Sequence, residues 1–139
     1  MQPRRFGSTG LTVSPLGLGT MTWGRDTDAH DAGEMVRAFL DSGGTVIDTA
    51  ASYADGAAEE IIAGLLHTGI ARRDVVLVGK SGVQRTASGS LVLNAGRGAL
   101  LDDLDASLVR LGTDHLDLWL VQAPDRLTPA SETATALEI

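Results

Sequence analysis

The chain has 139 residues, 43% of them hydrophobic, which suits one globular domain and not a disordered tract. Eleven basic against 18 acidic side chains give a net charge of −7, which argues against a nucleic-acid or anionic-membrane surface. Cysteine is absent, removing disulfides, thiolate catalysis and Cys-ligated zinc, and no apolar run approaches the ~20 residues of a membrane span. The segment after Arg4-Arg5 is Gly-rich rather than apolar, so nothing there resembles a signal peptide. A soluble, cytoplasmic protein is the expectation.

In chain order, Arg4–Phe6 and Leu11–Val13 flank Gly7-Ser8-Thr9-Gly10, a hairpin signal. Pro15 interrupts pairing, and Leu16-Gly17-Leu18-Gly19 reads as a short strand whose glycines suit a close approach by backbone or ligand. Asp28 is placed to cap a helix running to about Leu40, with Ala32, Met35, Val36, Phe39 and Leu40 on one stripe. Gly43-Gly44 stops it. Strand 45–49 follows, then a helix marked by Ala57, Ala58, Ile61, Ile62, Leu65 and Leu66. Strand 75–79 precedes a predicted loop over 81–93. Leu100, Leu101, Leu104, Leu108 and Leu111 mark a third helix, closed by Gly112. Strand 116–121 leads into Ala123-Pro124-Asp125, and 131–139 opens another helix.

Strands thus alternate with helices, which predicts an α/β fold with a parallel sheet and right-handed crossovers. Side chains alternate along each strand. Val46 and Asp48 therefore share a face, as do Val76, Val78 and Lys80, and as do Leu118, Leu120 and Gln122. Each strand carries apolar groups and then one polar group at the C-terminal end of that face. In a closed parallel sheet those ends gather at one mouth, where active sites lie.

Several other features have ordinary readings. Gly17-Leu18-Gly19-Thr20-Met21-Thr22 imitates a dinucleotide loop, but Thr22 stands where the third glycine belongs and no helix starts at once. His30, His67 and His115 lack metal-ligand spacing and read as surface or packing residues. Glu59-Glu60 and Asp102-Asp103 read as solvated helix faces, and Asp114 and Asp117 as structural. Trp119 points away from Gln122 and reads as helix–sheet packing. Trp23 either lines a pocket or caps the sheet mouth.

The sequence resembles the aldo-keto reductase family. The resemblance rests on Arg5-Phe6-Gly7-Ser8-Thr9-Gly10-Leu11, then Leu16-Gly17-Leu18-Gly19-Thr20-Met21, then Val46-Ile47-Asp48-Thr49-Ala50 with Tyr53. It continues through Gly79-Lys80 and through Leu111-Gly112-Thr113-Asp114 into Leu116-Asp117-Leu118. It implies a partial (β/α)8 TIM barrel: an N-terminal hairpin plus about four parallel βα units. It also implies reduction of aldehydes and ketones by NADPH, less often NADH. Residue by residue, Tyr53 would be the proton donor, Lys80 the ammonium that eases loss of its proton, and Asp48 the carboxylate that holds Lys80. A free phenol titrates near ~10, so a neighbouring cation is what such a donor needs near neutral pH. Gln122 takes the position where the family usually has histidine; its amide can still donate a hydrogen bond to a carbonyl but cannot exchange a proton. Gly19, Thr20, Met21, Trp23, Asp48 and Gln122 would face the nicotinamide.

A full barrel of this kind needs about 250 residues. Residues 1–139 therefore read as its N-terminal half, truncated within or just before the fourth helix, without the later strands that would hold the adenosine phosphates. Strand edges and an apolar inner face are expected to be left open. Self-association through those edges, membership of a longer protein, and a truncated reading frame are the three expectations this raises. A non-catalytic association or binding protein, or an inactive fragment of a reductase, is the rival functional reading. Under the reductase reading the expected partner, besides the cofactor, is a small carbonyl substrate.

Overall fold

The structure, a computed structural model, describes residues 1–86 and 88–138. Ala87 and Ile139, which fall in the predicted loop and the predicted final helix, lie outside the described residues. The chain opens with an antiparallel hairpin of β1 (Arg4–Arg5) and β2 (Thr12–Val13), turned through Gly7 at φ +57°. Then come β3 (Gly17–Gly19), α1 (Ala29–Asp41), β4 (Val46–Asp48), α2 (Ala57–Thr68) and β5 (Val76–Ser81). A second hairpin, β6 (Val83–Arg85) with β7 (Leu91–Leu93), precedes α3 (Arg97–Leu111), β8 (Leu118–Val121) and α4 (Ala130–Ala136).

Four strands form one all-parallel sheet in the order β3-β4-β5-β8, as the alternating strand and helix pattern predicts. The sheet is not closed: β3 and β8 stand at its two ends among the described residues. The loop expected over 81–93 is instead the β6–β7 hairpin, paired Val83 with Leu93 and Arg85 with Leu91. The β-branched Val83 and Val92, one in each strand, favour an extended backbone. The turn is closed by Thr86 N–H donating to the Ser90 carbonyl at 2.9 Å.

Alternation sorts the sheet into two faces. Ile47 and Leu77 point outward and pack with Val36, Ile62 and Leu111 from the three covering helices, all buried. Trp23 joins this core with no exposed surface. Asp28 caps α1 as expected, its carboxylate accepting from the backbone N–H groups of His30 and Asp31 at 2.8 and 2.9 Å. The inner face is open. Val46, Val78, Leu118 and Leu120 line a cavity of about 460 Å³ with Phe6 and Leu16 of the first hairpin and its exit. Leu120 is 42% exposed and Leu16 65%. Among the described residues, no helix is long and apolar enough to cross a membrane.

One member of each of two acidic pairs departs from the solvated face that sequence suggests, while Glu60 and Asp102 keep it. Glu59 is wholly buried and accepts from Arg110 Nε at 2.6 Å, joining α2 to α3, while Glu60 is exposed. Asp103 accepts from the Gly82 N–H at 2.9 Å and from Gln84 Nε2 at 3.0 Å, anchoring the start of the second hairpin. Asp117 has the structural part expected of it, accepting from the Leu77 N–H at 2.8 Å and from Arg72 at 2.7 Å. The three histidines lie at the surface, and among the described residues no group of three His, Asp or Glu could hold a metal.

Candidate active site

The register of the sheet builds the site. Asp48 stands opposite Val78 on β5, and Lys80 lies two residues further along the same strand and on the same face. That diagonal is short enough for a lysine side chain to span. Lys80 Nζ donates to Asp48 Oδ2 at 2.7 Å, to the Thr49 carbonyl at 2.9 Å and to the Tyr53 hydroxyl at 3.1 Å. An ammonium has three donors, and all three are occupied. Lys80 is 14% exposed and Asp48 36%, so the pair lies at the rim of the sheet, not in its interior.

Tyr53 is the only tyrosine of the chain. It starts a kinked turn, Tyr53–Gly56, between β4 and α2. Its N–H donates to the Ala50 carbonyl at 3.0 Å, folding the segment back over the strand ends. Ala54 and Asp55 take left-handed backbone, φ 49° and 55°, which costs of order 1–2 kcal/mol per non-glycine residue. The surroundings hold them there: Asp55 accepts from Arg85 Nε of the second hairpin at 2.6 Å. Lys80 donates to the phenolic oxygen, which leaves the hydroxyl's own proton available to another acceptor. Tyr53 lines a cleft of about 480 Å³ together with Met21, Ser52, Arg85, Leu91 and Gln122 among others.

Gln122 reaches this cleft from the end of β8, its backbone N–H donating to the Ser81 carbonyl at 2.9 Å. Its side-chain Oε1 accepts from Ser52 Oγ at 3.0 Å. The loop behind it is pinned by Asp125, which accepts from Thr128 Oγ1 at 2.7 Å, from the Leu127 N–H at 2.8 Å and from the Ala95 N–H at 3.2 Å. These bonds, the Thr128 hydroxyl first, hold the Asp125 carboxyl below the usual aspartate range. At the cleft rim Arg25 pairs with Asp26 at 2.6 Å, and that hydrogen bond likewise lowers the Asp26 carboxyl.

The structure therefore brings Asp48, Tyr53, Lys80 and Gln122 to one mouth. The predicted nicotinamide contacts divide. Met21 is 59% exposed on the cleft, and a Cβ at Gly19 would meet nothing within 4 Å, so both border open space. Thr20 is fully buried with its hydroxyl donating to the Asp48 carbonyl at 3.0 Å. Trp23 is fully buried in the core. The side chains of Thr20 and Trp23 are thus packed into the scaffold. Two participants were not foreseen: the Thr49 carbonyl and Ser52. Ser52 directly precedes Tyr53, but its partner is 70 residues away, so no local pattern could reveal it.

Comparison with known proteins agrees with this architecture. The model of the aldo/keto reductase family matches residues 15–139. Aldo-keto reductase YhdN of Bacillus subtilis is 36% identical over 143 aligned residues, which cover 99% of this chain and 43% of that protein. A probable voltage-gated potassium channel subunit beta of Oryza sativa is 34% identical over 99% of this chain and 42% of its own length. Among solved structures, aldo-keto reductase AKR11C1 from Bacillus halodurans (holo form) superposes with a TM-score of 0.87 at 31% identity, covering 99% of this chain and 45% of that one. The chain thus spans less than half the length of these relatives. Family match, sequence relatives and superposition converge, and the chain belongs to the aldo/keto reductase family.

Proposed function

We propose that the chain carries the proton-donating half of an oxidoreductase site that reduces aldehydes or ketones to alcohols with NADPH or NADH. One observation carries this reading: a single lysine ammonium hydrogen-bonded at once to a carboxylate and to a tyrosine hydroxyl that borders an open cleft. The bound nicotinamide would supply the hydride. Tyr53 gives the carbonyl oxygen its proton, and the Lys80 charge at 3.1 Å stabilises the phenolate left behind. Asp48 aims the Lys80 ammonium, and the Thr49 carbonyl fixes the remaining donor. Gln122 orients the substrate through its amide.

The residues present fit the nicotinamide end of the cofactor. Gly19 and Met21 border open space beside Asp48, to which Gly19 is paired in the sheet. An apolar flank at Met21 and Leu91 suits a flat ring, and the Gln122 amide offers donors. NADPH is favoured over NADH only by the family resemblance.

The test is titration of the chain with NADPH and with NADH, followed by quenching of the fluorescence of its two tryptophans, and then turnover with a panel of aldehydes and ketones. Saturable binding and carbonyl-dependent oxidation of the cofactor support the reading. Absence of binding at millimolar cofactor would overturn it for this chain.

A further inference from the structure

We infer that Ser52 is a positioning residue for the reaction proposed above: its hydroxyl holds the Gln122 amide so that the NH2 end, not the oxygen, meets the substrate carbonyl.

A primary amide has a donor end and an acceptor end of nearly the same shape. Only the donor end helps here. A carbonyl oxygen only accepts, so an amide turned the wrong way would set two acceptors against each other beside Tyr53. Turned the right way, the amide leaves Oε1 pointing back into a half-buried site, where an oxygen without a donor is costly. Ser52 supplies that donor at 3.0 Å. No other hydrogen bond of the Ser52 hydroxyl is seen among the described residues.

The two partners are brought together by the sheet and by the turn that follows β4. Gln122 continues the β5–β8 ladder through its N–H to the Ser81 carbonyl. Ser52 lies in helical backbone, φ −78° and ψ −8°, immediately before Tyr53. The bond thus ties the loop that carries the proton donor to the strand end that carries the amide. It sets their spacing as well as the amide's orientation. A histidine has a donor nitrogen on a rigid ring; a glutamine has an extra torsion and a reversible end, and so has more need of such a partner.

The experiment pairs a spectroscopic and a kinetic readout. The side-chain NH2 of Gln122 is identified in a nitrogen-15 NMR spectrum by its loss in Gln122→Ala. The inference requires that this signal shift in Ser52→Ala, stay near its original place in Ser52→Thr, and respond to added benzaldehyde in the unaltered chain but not in Ser52→Ala. In NADPH-dependent benzaldehyde reduction, Ser52→Ala should lower kcat about tenfold with the KM for NADPH unchanged. Ser52→Thr should restore most of that loss, and Ser52→Ala should cost nothing further in a Gln122→Ala background. An unmoved Gln122 signal in Ser52→Ala, or full additivity of the two substitutions, overturns the inference while leaving the reaction itself standing. If the unaltered chain shows no turnover at all, the proposed reaction fails instead, and the NMR arm still decides the orientation of the amide.

Discussion

Two ion pairs of nearly equal length divide the work of this molecule. Lys80 and Asp48 meet at 2.7 Å on the rim of the sheet, and Arg110 and Glu59 meet at 2.6 Å between α2 and α3. Length does not tell them apart; the remaining donors do. Arg110 spends another on the Ser107 hydroxyl at 3.3 Å, within its own helix, so its contacts end in scaffold. Lys80 spends its third on the hydroxyl of Tyr53, which opens to a cleft. Burial differs in the same sense. Glu59 has no exposed side chain, whereas Asp48 keeps 36%. A cation that reaches past its carboxylate to a group at a cleft can do chemistry; one that closes on the core can only hold the core together.

Substitutions can break this comparison, and the largest effect is expected at the rim. Lys80→Met should cut carbonyl turnover by ~100-fold or more while leaving the thermal midpoint nearly unchanged, because a partly solvated carboxylate tolerates the loss of its partner. A variant that unfolds instead would move Lys80 into the structural class. Arg110→Ala should do the reverse. It strands a fully buried carboxylate, so urea melts should show a loss of about 3–5 kcal/mol. Melts unchanged from the parent would mean that Glu59 is not held as a charge by Arg110.

Smaller effects sharpen the picture. A Cβ at Gly79 would come within 2.5 Å of Leu116 Cδ1, which packs against the core, so Gly79→Ala should cost about 1–3 kcal/mol in the same melts. The glycine before Lys80 is thus explained by packing, and an unaltered stability would remove that explanation. The smallest effect is at Asp125, whose folded carboxyl is lowered by the Thr128 hydroxyl and by the backbone N–H groups of Leu127, Ala95 and Thr128. A depressed folded value means that its contribution is complete above the ordinary aspartate value of about 4 and is lost as pH falls through the lower folded one. Asp125→Asn should therefore flatten the acid limb of a plot of thermal midpoint against pH, and parallel acid limbs would exclude the role.

What the sequence made legible is what local rules determine. Alternation put Asp48 and Lys80 on one face, and the strand–helix order gave a parallel sheet. Asp28 and Gly112 showed the start of one helix and the end of another, Gly112 at φ +63° after α3. What stayed hidden depends on partners far along the chain. Glu59 looks like one of two solvated carboxylates until Arg110, 51 residues on, is packed beside it. Asp103 on α3 is claimed by Gly82 and by Gln84 at the start of the second hairpin, where the sequence predicts a loop. Thr20 and Trp23 follow the strand end in a run that suits a ligand loop, yet the chain turns them inward, Trp23 N–H donating to the Thr20 carbonyl at 3.0 Å. The open inner face was foreseeable from the count of strands, because four cannot close a barrel built from eight.

The central claim is that Tyr53 donates the proton. It is tested most directly by Tyr53→Phe, compared with the parent chain in cofactor-dependent aldehyde reduction, with circular dichroism showing both folded alike. The substitution removes one oxygen and leaves the Lys80–Asp48 pair in place. Turnover reduced by ~100-fold or more, with cofactor binding retained, is the predicted result. A variant that reduces the aldehyde at the parental rate would contradict the account.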